Sequence, residues 1–161
     1  KMPETRLEQI NLNEKIRQSI ILYRQSEHTT INFESNSEHD VIINADRDQI
    51  LRCFNNLIKN AIEARSGDRH CIIDILLYCK PGAVCVEIKD NGTGMSEELK
   101  RKIFTPNFTT KSSGTGLGLA FVKQAIENIG GNITFETAPD IGTTFYIVIP
   151  VLETLNQNSI D

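Results

Sequence analysis

Four stretches of this 161-residue chain hold residues of chemical interest at fixed spacing. The first is Asn56-Leu-Ile-Lys-Asn60-Ala-Ile-Glu63-Ala. At roughly 100° per residue on a helix, Asn56, Asn60 and Glu63 fall within about 60° of one another. Ile50, Phe54, Leu57, Ile58 and Ala61 take the opposite side. Such a polar stripe is either a solvated helix face or a set of oxygen ligands for a hard cation. Mg2+ prefers such oxygens, keeps waters, and shares its site with substrate phosphates. The second stretch is Asp90-Asn91-Gly92-Thr93-Gly94-Met95, directly after a predicted strand. It reads either as a turn with a polar lead-in or as a carboxylate beside backbone that a ligand approaches closely.

The third stretch, Gly114-Thr115-Gly116-Leu117-Gly118-Leu119, enters a helix. Backbone N–H groups exposed by glycines, together with the positive end of a helix, favour phosphate. It lacks the Gly-Lys-Ser/Thr of a P-loop and does not follow a strand directly, as a dinucleotide fingerprint does. The fourth stretch is Phe104-Thr-Pro-Asn-Phe108-Thr-Thr-Lys111, two aromatics around a proline with hydroxyls and a lysine behind. It is either an exposed loop anchored by phenylalanines or, given the length of segment 91–115, a functional lid.

The elements that must position these stretches are legible from periodicity. Leu12, Ile16, Ile20 and Tyr23 predict an amphipathic helix over 12–26. Two short strands follow, near 29–35 and 40–45. Asp46, with Gln49 three residues on, marks the start of a long helix over 47–65. The apolar runs 71–79 and 83–89 flank Pro81-Gly82 and predict a hairpin. Ser96 caps a short helix inside the loop, and 116–129 forms a helix ending at Gly130-Gly131. Strands near 132–137 and 143–150 complete the set. Strands in adjacent pairs, mixed with a few long helices, predict an α+β fold. It is a two-layer α/β sandwich, a mixed and mostly antiparallel sheet with helices on one face. A doubly wound α/β sheet fits less well, because strands do not alternate with helices.

Composition narrows the function. A net charge of −4 leaves no basic footprint for nucleic acid. No apolar run approaches the roughly 20 residues needed to span a bilayer, and no signal peptide opens the chain. Cys53, Cys71, Cys79 and Cys85 form no C-x-x-C pair and read as buried thiols. His28, His39 and His70 stand in polar stretches and read as surface residues.

Taken together, the stretches resemble the ATP-binding catalytic domain of bacterial two-component sensor histidine kinases, of the nitrogen-regulation type. They are similar, in that family's order and spacing, to its N box (56–64), G1 box (90–95), F box (104–111) and G2 box (114–119). Gly142-Thr143-Thr144-Phe145 resembles its terminal Gly-Thr-x-Phe element. The resemblance covers about 12–150. It implies the Bergerat (GHKL) sandwich shared with DNA gyrase B subunits and mismatch-repair ATPases. Residues 1–11 are then the end of a connection from an absent dimerisation domain, and 151–161 a polar tail.

The resemblance implies ATP and Mg2+ as cofactors. Asp90 matches the aspartate that reads adenine, and Asn60 the metal-binding asparagine. Asn56 and Lys59 match positions that contact metal or phosphates. Lys111 is a γ-phosphate partner at the lid, so that Asn56, Asn60 and Lys111 form the catalytic set. Gly114, Gly116 and Gly118 surround the triphosphate. Gly92, Gly94, Met95, Phe104, Thr110, Thr115, Leu117, Leu119 and Thr143 complete the implied nucleotide site. The implied acceptor is a histidine, followed by an acidic residue, on a helix of the same kinase's dimerisation domain, with a response regulator downstream. His39-Asp40 comes nearest to that context, but at a predicted strand start. The implied parent is a homodimer with an inner-membrane anchor, and the fragment a monomeric cytoplasmic domain. Two alternatives share the fold: an ATP-hydrolysing conformational machine, and a nucleotide-binding module without catalysis. The hydrolysing relatives carry a glutamate general base four residues before the metal asparagine, where this chain has Asn56.

Overall fold

The computed structural model describes residues 4–106 and 118–151. Its elements run β1 (Glu8–Asn11), α1 (Leu12–Tyr23), β2 (Thr29–Ser35), β3 (Ile42–Ala45), α2 (Arg47–Glu63), β4 (Cys71–Lys80), β5 (Ala83–Asp90), α3 (Glu97–Lys100), α4 (Gly118–Asn128), β6 (Asn132–Ala138) and β7 (Gly142–Pro150). Five strands form one sheet in the order β2-β4-β5-β7-β6. The β2–β4 pair is parallel and the other three pairs are antiparallel. The parallel pair is joined through α2, which supplies the long crossover that parallel strands require. The architecture is the mixed, mostly antiparallel sandwich that the pairing of strands in sequence implies.

Alternation with period two decides the faces of the sheet. Along β4, Cys71, Ile73, Ile75 and Leu77 are buried while Ile72 and Asp74 are exposed. Val84, Val86 and Ile88 of β5 and Phe145, Ile147 and Ile149 of β7 join the same core. Onto this face α2 sets Ile50, Cys53, Phe54, Leu57, Ile58 and Ala61, the apolar side of its stripe. It packs between α1 and α4. Ser19 Oγ donates to Asn55 Oδ1 at 2.7 Å, tying α1 to α2 within that layer.

One strand has no counterpart in the sequence reading. Residues 8–11, assigned there to the segment before the domain, pair antiparallel with β3, and Ile10 is buried. The strand near 40–45 begins at Ile42, and the Asp40 side chain before it accepts from Arg17 (3.0 and 3.1 Å) and Asn11 (3.0 Å). Three of the four cysteines are buried, but Cys79, near the end of β4, is exposed. None of the histidines lies on a helix. His28, His39 and His70 are exposed in turns and loops.

Asp46 caps α2 as its spacing implies. Its carboxylate accepts from the amides of Asp48 (3.0 Å), Gln49 (3.1 Å) and Arg6 (2.8 Å). The Gln49 side chain reaches back to the preceding segment, donating from Nε2 to Thr5 Oγ1 at 3.1 Å. Burial works against the Asp46 charge, yet the three amides outweigh it and hold the carboxyl below its ordinary value. Asp46→Ala should cost about 1 kcal/mol of stability at neutral pH. A carboxyl whose pKa falls on folding contributes stability above its unfolded pKa and loses it as pH drops through the folded value. Urea titrations should therefore show a smaller penalty below about pH 3 than at pH 7. Equal penalties at both would contradict the role of the charge.

Candidate functional site

The polar side of α2 is the spine of the site. Near its middle, Asn56 Nδ2 donates to the Gly118 carbonyl at 3.3 Å, which fastens the start of α4 to α2. One turn earlier, the Arg52 guanidinium lies 3.9 Å from the centre of the Phe121 ring and braces the same junction. The N-terminal end of α4, with its positive potential, is thereby set beside the carboxamide stripe. Asn56 and Asn60 are both half-buried. Lys59 is exposed and pairs with Glu63 at 3.9 Å.

At the far end of α2 sits the second stretch. The Thr93 amide donates to the Ala64 carbonyl at 2.8 Å, so the loop after β5 rests on the end of the helix. Asp90 ends β5, a central strand, and is only 7% exposed. Its Oδ1 accepts from the amides of Gly92 (2.8 Å) and Thr143 (3.3 Å). Two such charge-assisted bonds fix the carboxylate's orientation. Asn91 locks the neighbouring strand: its Oδ1 accepts from the Ile72 amide and its Nδ2 donates to the His70 carbonyl, each at 2.9 Å. Met95 N donates to Thr137 Oγ1 at 3.0 Å, and that hydroxyl lies 2.8 Å from Thr143 Oγ1.

The glycines here answer to the protein's own backbone. A Cβ on Gly92 would strike the Ala64 carbonyl, and one on Gly94, whose φ is +68°, the Ala138 carbonyl. Gly142, at φ +140°, passes against the Asp90 carbonyl in the same way. The sequence reading ascribes the close approach at Gly92 and Gly94 to a ligand; within the described residues the groups approached are these carbonyls.

The remaining site candidates divide by position. Phe104 is half-buried and edge-on to Phe135 at 5.7 Å, with Phe135 5.8 Å from Phe145. The aromatic that begins the fourth stretch is thus anchored to the sheet. Leu119 packs against the core from α4. Phe108, Thr110, Lys111, Gly114, Thr115, Gly116 and Leu117 lie outside the described residues. Among the described residues no group of three or more His, Cys, Asp and Glu gathers to hold a metal. The cation ligands available on the stripe are the carboxamide oxygens of Asn56 and Asn60 and the carboxylate of Glu63. Burial pushes the Cys53 thiol up to about 12, and burial, then the Asp90 charge, raises that of Cys71.

Thr137, Asn91 and Arg69 are site residues that sequence reasoning did not single out. Asn91 carried a signal, an amide side chain directly after a strand. Thr137 carried none, because its partners lie 42 and 6 residues away.

A helix stripe of carboxamides, a helix N-terminus beside it and a buried, oriented carboxylate together define a nucleotide-binding domain of the sandwich class. The chain belongs to the histidine kinase-, DNA gyrase B- and HSP90-like ATPase family, whose model matches residues 45–153. It is similar to the signal transduction histidine-protein kinase AtoS of Escherichia coli K12, with 33% identity over 152 residues. That match takes in 93% of this chain and 25% of AtoS. Sensor histidine kinase ZraS of Klebsiella oxytoca is 42% identical over 109 residues, 68% of this chain and 23% of its own length. The chain thus spans about a quarter of the curated relatives it matches. Among solved structures, the nucleotide-free catalytic domain of histidine kinase ThkA superposes with a TM-score of 0.79 at 37% identity. The overlap covers 91% of this chain and 96% of that one, so the likeness to a histidine-kinase catalytic domain is nearly end to end.

Proposed function

We propose that this domain binds Mg-ATP along α2 and donates the γ-phosphoryl group to a histidine on a separate dimerisation domain. The observation that carries the reading is the placement of two unlike ends on one helix. The turn that follows Asp90 rests on Ala64 through Thr93, and the start of α4 lies beside Asn56. Eight residues of helix separate those contacts by about 12 Å. An elongated ligand with an amine-bearing ring at one end and phosphates at the other suits that spacing. Asp90 accepts from the exocyclic amine of adenine, and the α4 terminus and the third stretch face the phosphates. Gly92, Gly94, Met95 and Thr143 shape the ring end. Lys59, Thr110, Lys111, Thr115 and Leu117 belong to the phosphate end and its lid.

Asn60 and Asn56 would hold Mg2+ through side-chain oxygens, shared with phosphate and water as that cation prefers. When bound, the ion offsets charge on the phosphate oxygens. The protein's own contribution is positioning and exclusion of a water-activating base. Asn60→Ala should therefore weaken ATP binding about tenfold in excess Mg2+ while leaving binding in a chelator unchanged. Calorimetry showing the same Mg2+ dependence in the variant as in the wild type would remove Asn60 from the metal site.

The same reading assigns the acceptor to the dimerisation domain of the parent kinase and makes a response regulator the downstream partner. ThkA has been solved in complex with response regulator TrrA, and that structure matches this chain at 32% identity. The catalytic unit takes in β1 together with residues 12–150 and is monomeric by itself within a homodimeric parent. No helix among the described residues is long and apolar enough to cross a membrane.

A further inference from the structure

The carboxylate of Asp90 is gripped by two segments, the turn at Gly92 and the β6–β7 turn that leads to Thr143. Each turn is built around glycine, the residue with the widest backbone freedom. One side chain bridges them from behind. Arg69, in the loop between α2 and β4, donates from Nη2 to the Gly92 carbonyl at 3.4 Å and to the Asp140 carbonyl at 3.1 Å. The backbone of Arg69 is itself held. Its amide donates to the Ser66 carbonyl at 3.0 Å, and its carbonyl accepts from Arg65 Nε at 2.8 Å. The Asp140 amide in turn donates to the Thr93 carbonyl at 2.7 Å, which joins the two turns a second time.

We infer that Arg69 is a positioning residue for base recognition: its guanidinium clamps the Gly92 and Asp140 turns so that their amides hold Asp90 in one orientation toward the base. The inference rests on the adenine-reading assignment of Asp90. It follows from geometry, since Gly92 donates to Asp90 through its amide and accepts from Arg69 through its carbonyl. Loosening Arg69 frees the same residue that aims the carboxylate. Both carbonyls accept from the one Nη2, which the planar guanidinium holds with its two N–H directions fixed, whereas an ammonium rotates on a flexible stem. Because Arg69 is exposed and outside the core, its loss leaves the fold intact.

The test titrates the 161-residue chain and its Arg69→Ala, Arg69→Lys and Asp90→Asn variants with ATP, ADP and GTP, and measures their melting temperatures. Arg69→Ala should lower ATP and ADP affinity by the same factor, about fivefold to tenfold, since preorganisation rather than a ligand contact is lost. Affinity for GTP should change less, so that discrimination narrows, and Arg69→Lys should recover part of it. The inference is overturned if Arg69→Ala keeps the wild-type ATP-to-GTP ratio while Asp90→Asn loses ATP. It is equally overturned if ATP and GTP weaken together with a fall in melting temperature, which marks Arg69 as merely structural. If Asp90→Asn itself binds ATP like the wild type, the adenine assignment fails and this inference fails with it.

Discussion

Asp90→Asn should reduce ATP affinity by roughly 30- to 150-fold, the equivalent of about 2–3 kcal/mol for a lost charged hydrogen bond and a buried mismatch. The argument starts from the two amides that Asp90 already accepts, those of Gly92 and Thr143. An asparagine that keeps its oxygen toward them turns its NH2 toward the ring, where the adenine amine is also a donor. Flipping the amide instead sets NH2 against the two backbone donors at a position only 7% exposed. Either orientation leaves buried polar groups unpaired. The wild type should prefer ATP to GTP for the same reason, because guanine presents a carbonyl oxygen where adenine presents its amine. Absolute affinity for ATP should be about micromolar or weaker. Calorimetry that finds ATP and GTP bound equally by the wild type would refute the adenine assignment.

The second large effect concerns the fate of the γ-phosphate. The domain by itself should release negligible phosphate from ATP. Asn56 stands four residues before Asn60, where the hydrolysing relatives carry a glutamate, and a carboxamide is essentially non-basic at neutral pH. Its Nδ2 is moreover engaged with the Gly118 carbonyl at 3.3 Å. Glu63 is the carboxylate on the same stripe, but it stands one turn beyond Asn60 rather than one turn before it, and it is ion-paired with Lys59 at 3.9 Å. A kinase gains from this arrangement, since an activated water would consume ATP before the histidine arrived. Sustained turnover on the order of 1 s⁻¹, abolished by Glu63→Gln, would favour an ATP-hydrolysing machine instead.

Local signals in this chain were strong where they bound neighbours in sequence. The 3.6-residue stripe of α2, its Asp46 cap, the Pro81-Gly82 hairpin and the alternation of β4 all lie in short windows and appear where expected. The strand β1 was not legible. Four residues with Ile10 as their one buried apolar side chain carry no periodicity, and their partner Ile43 lies in a distant strand. Residues of the site were legible as types, but not the contacts that aim them. Asn56 meets Gly118 across 62 positions and Thr143 meets Asp90 across 53, distances over which spacing carries no information. The protein carbonyls that these glycines clear were not legible for the same reason. Ala64 and Ala138, the backbones they clear, come close only in the folded chain.

The most direct test of the central claim follows labelled γ-phosphate. The chain is incubated with Mg-ATP labelled at the γ position, with and without the dimerisation domain of its parent protein. Alone it should acquire no label, since His28, His39 and His70 lie in turns and loops and not on a helix. With the second domain present, acid-labile label should appear on a histidine of that domain, and replacing that histidine should abolish it. Acid-labile label on His28, His39 or His70 of this chain, or steady phosphate release with no transfer in the complete mixture, would contradict the account.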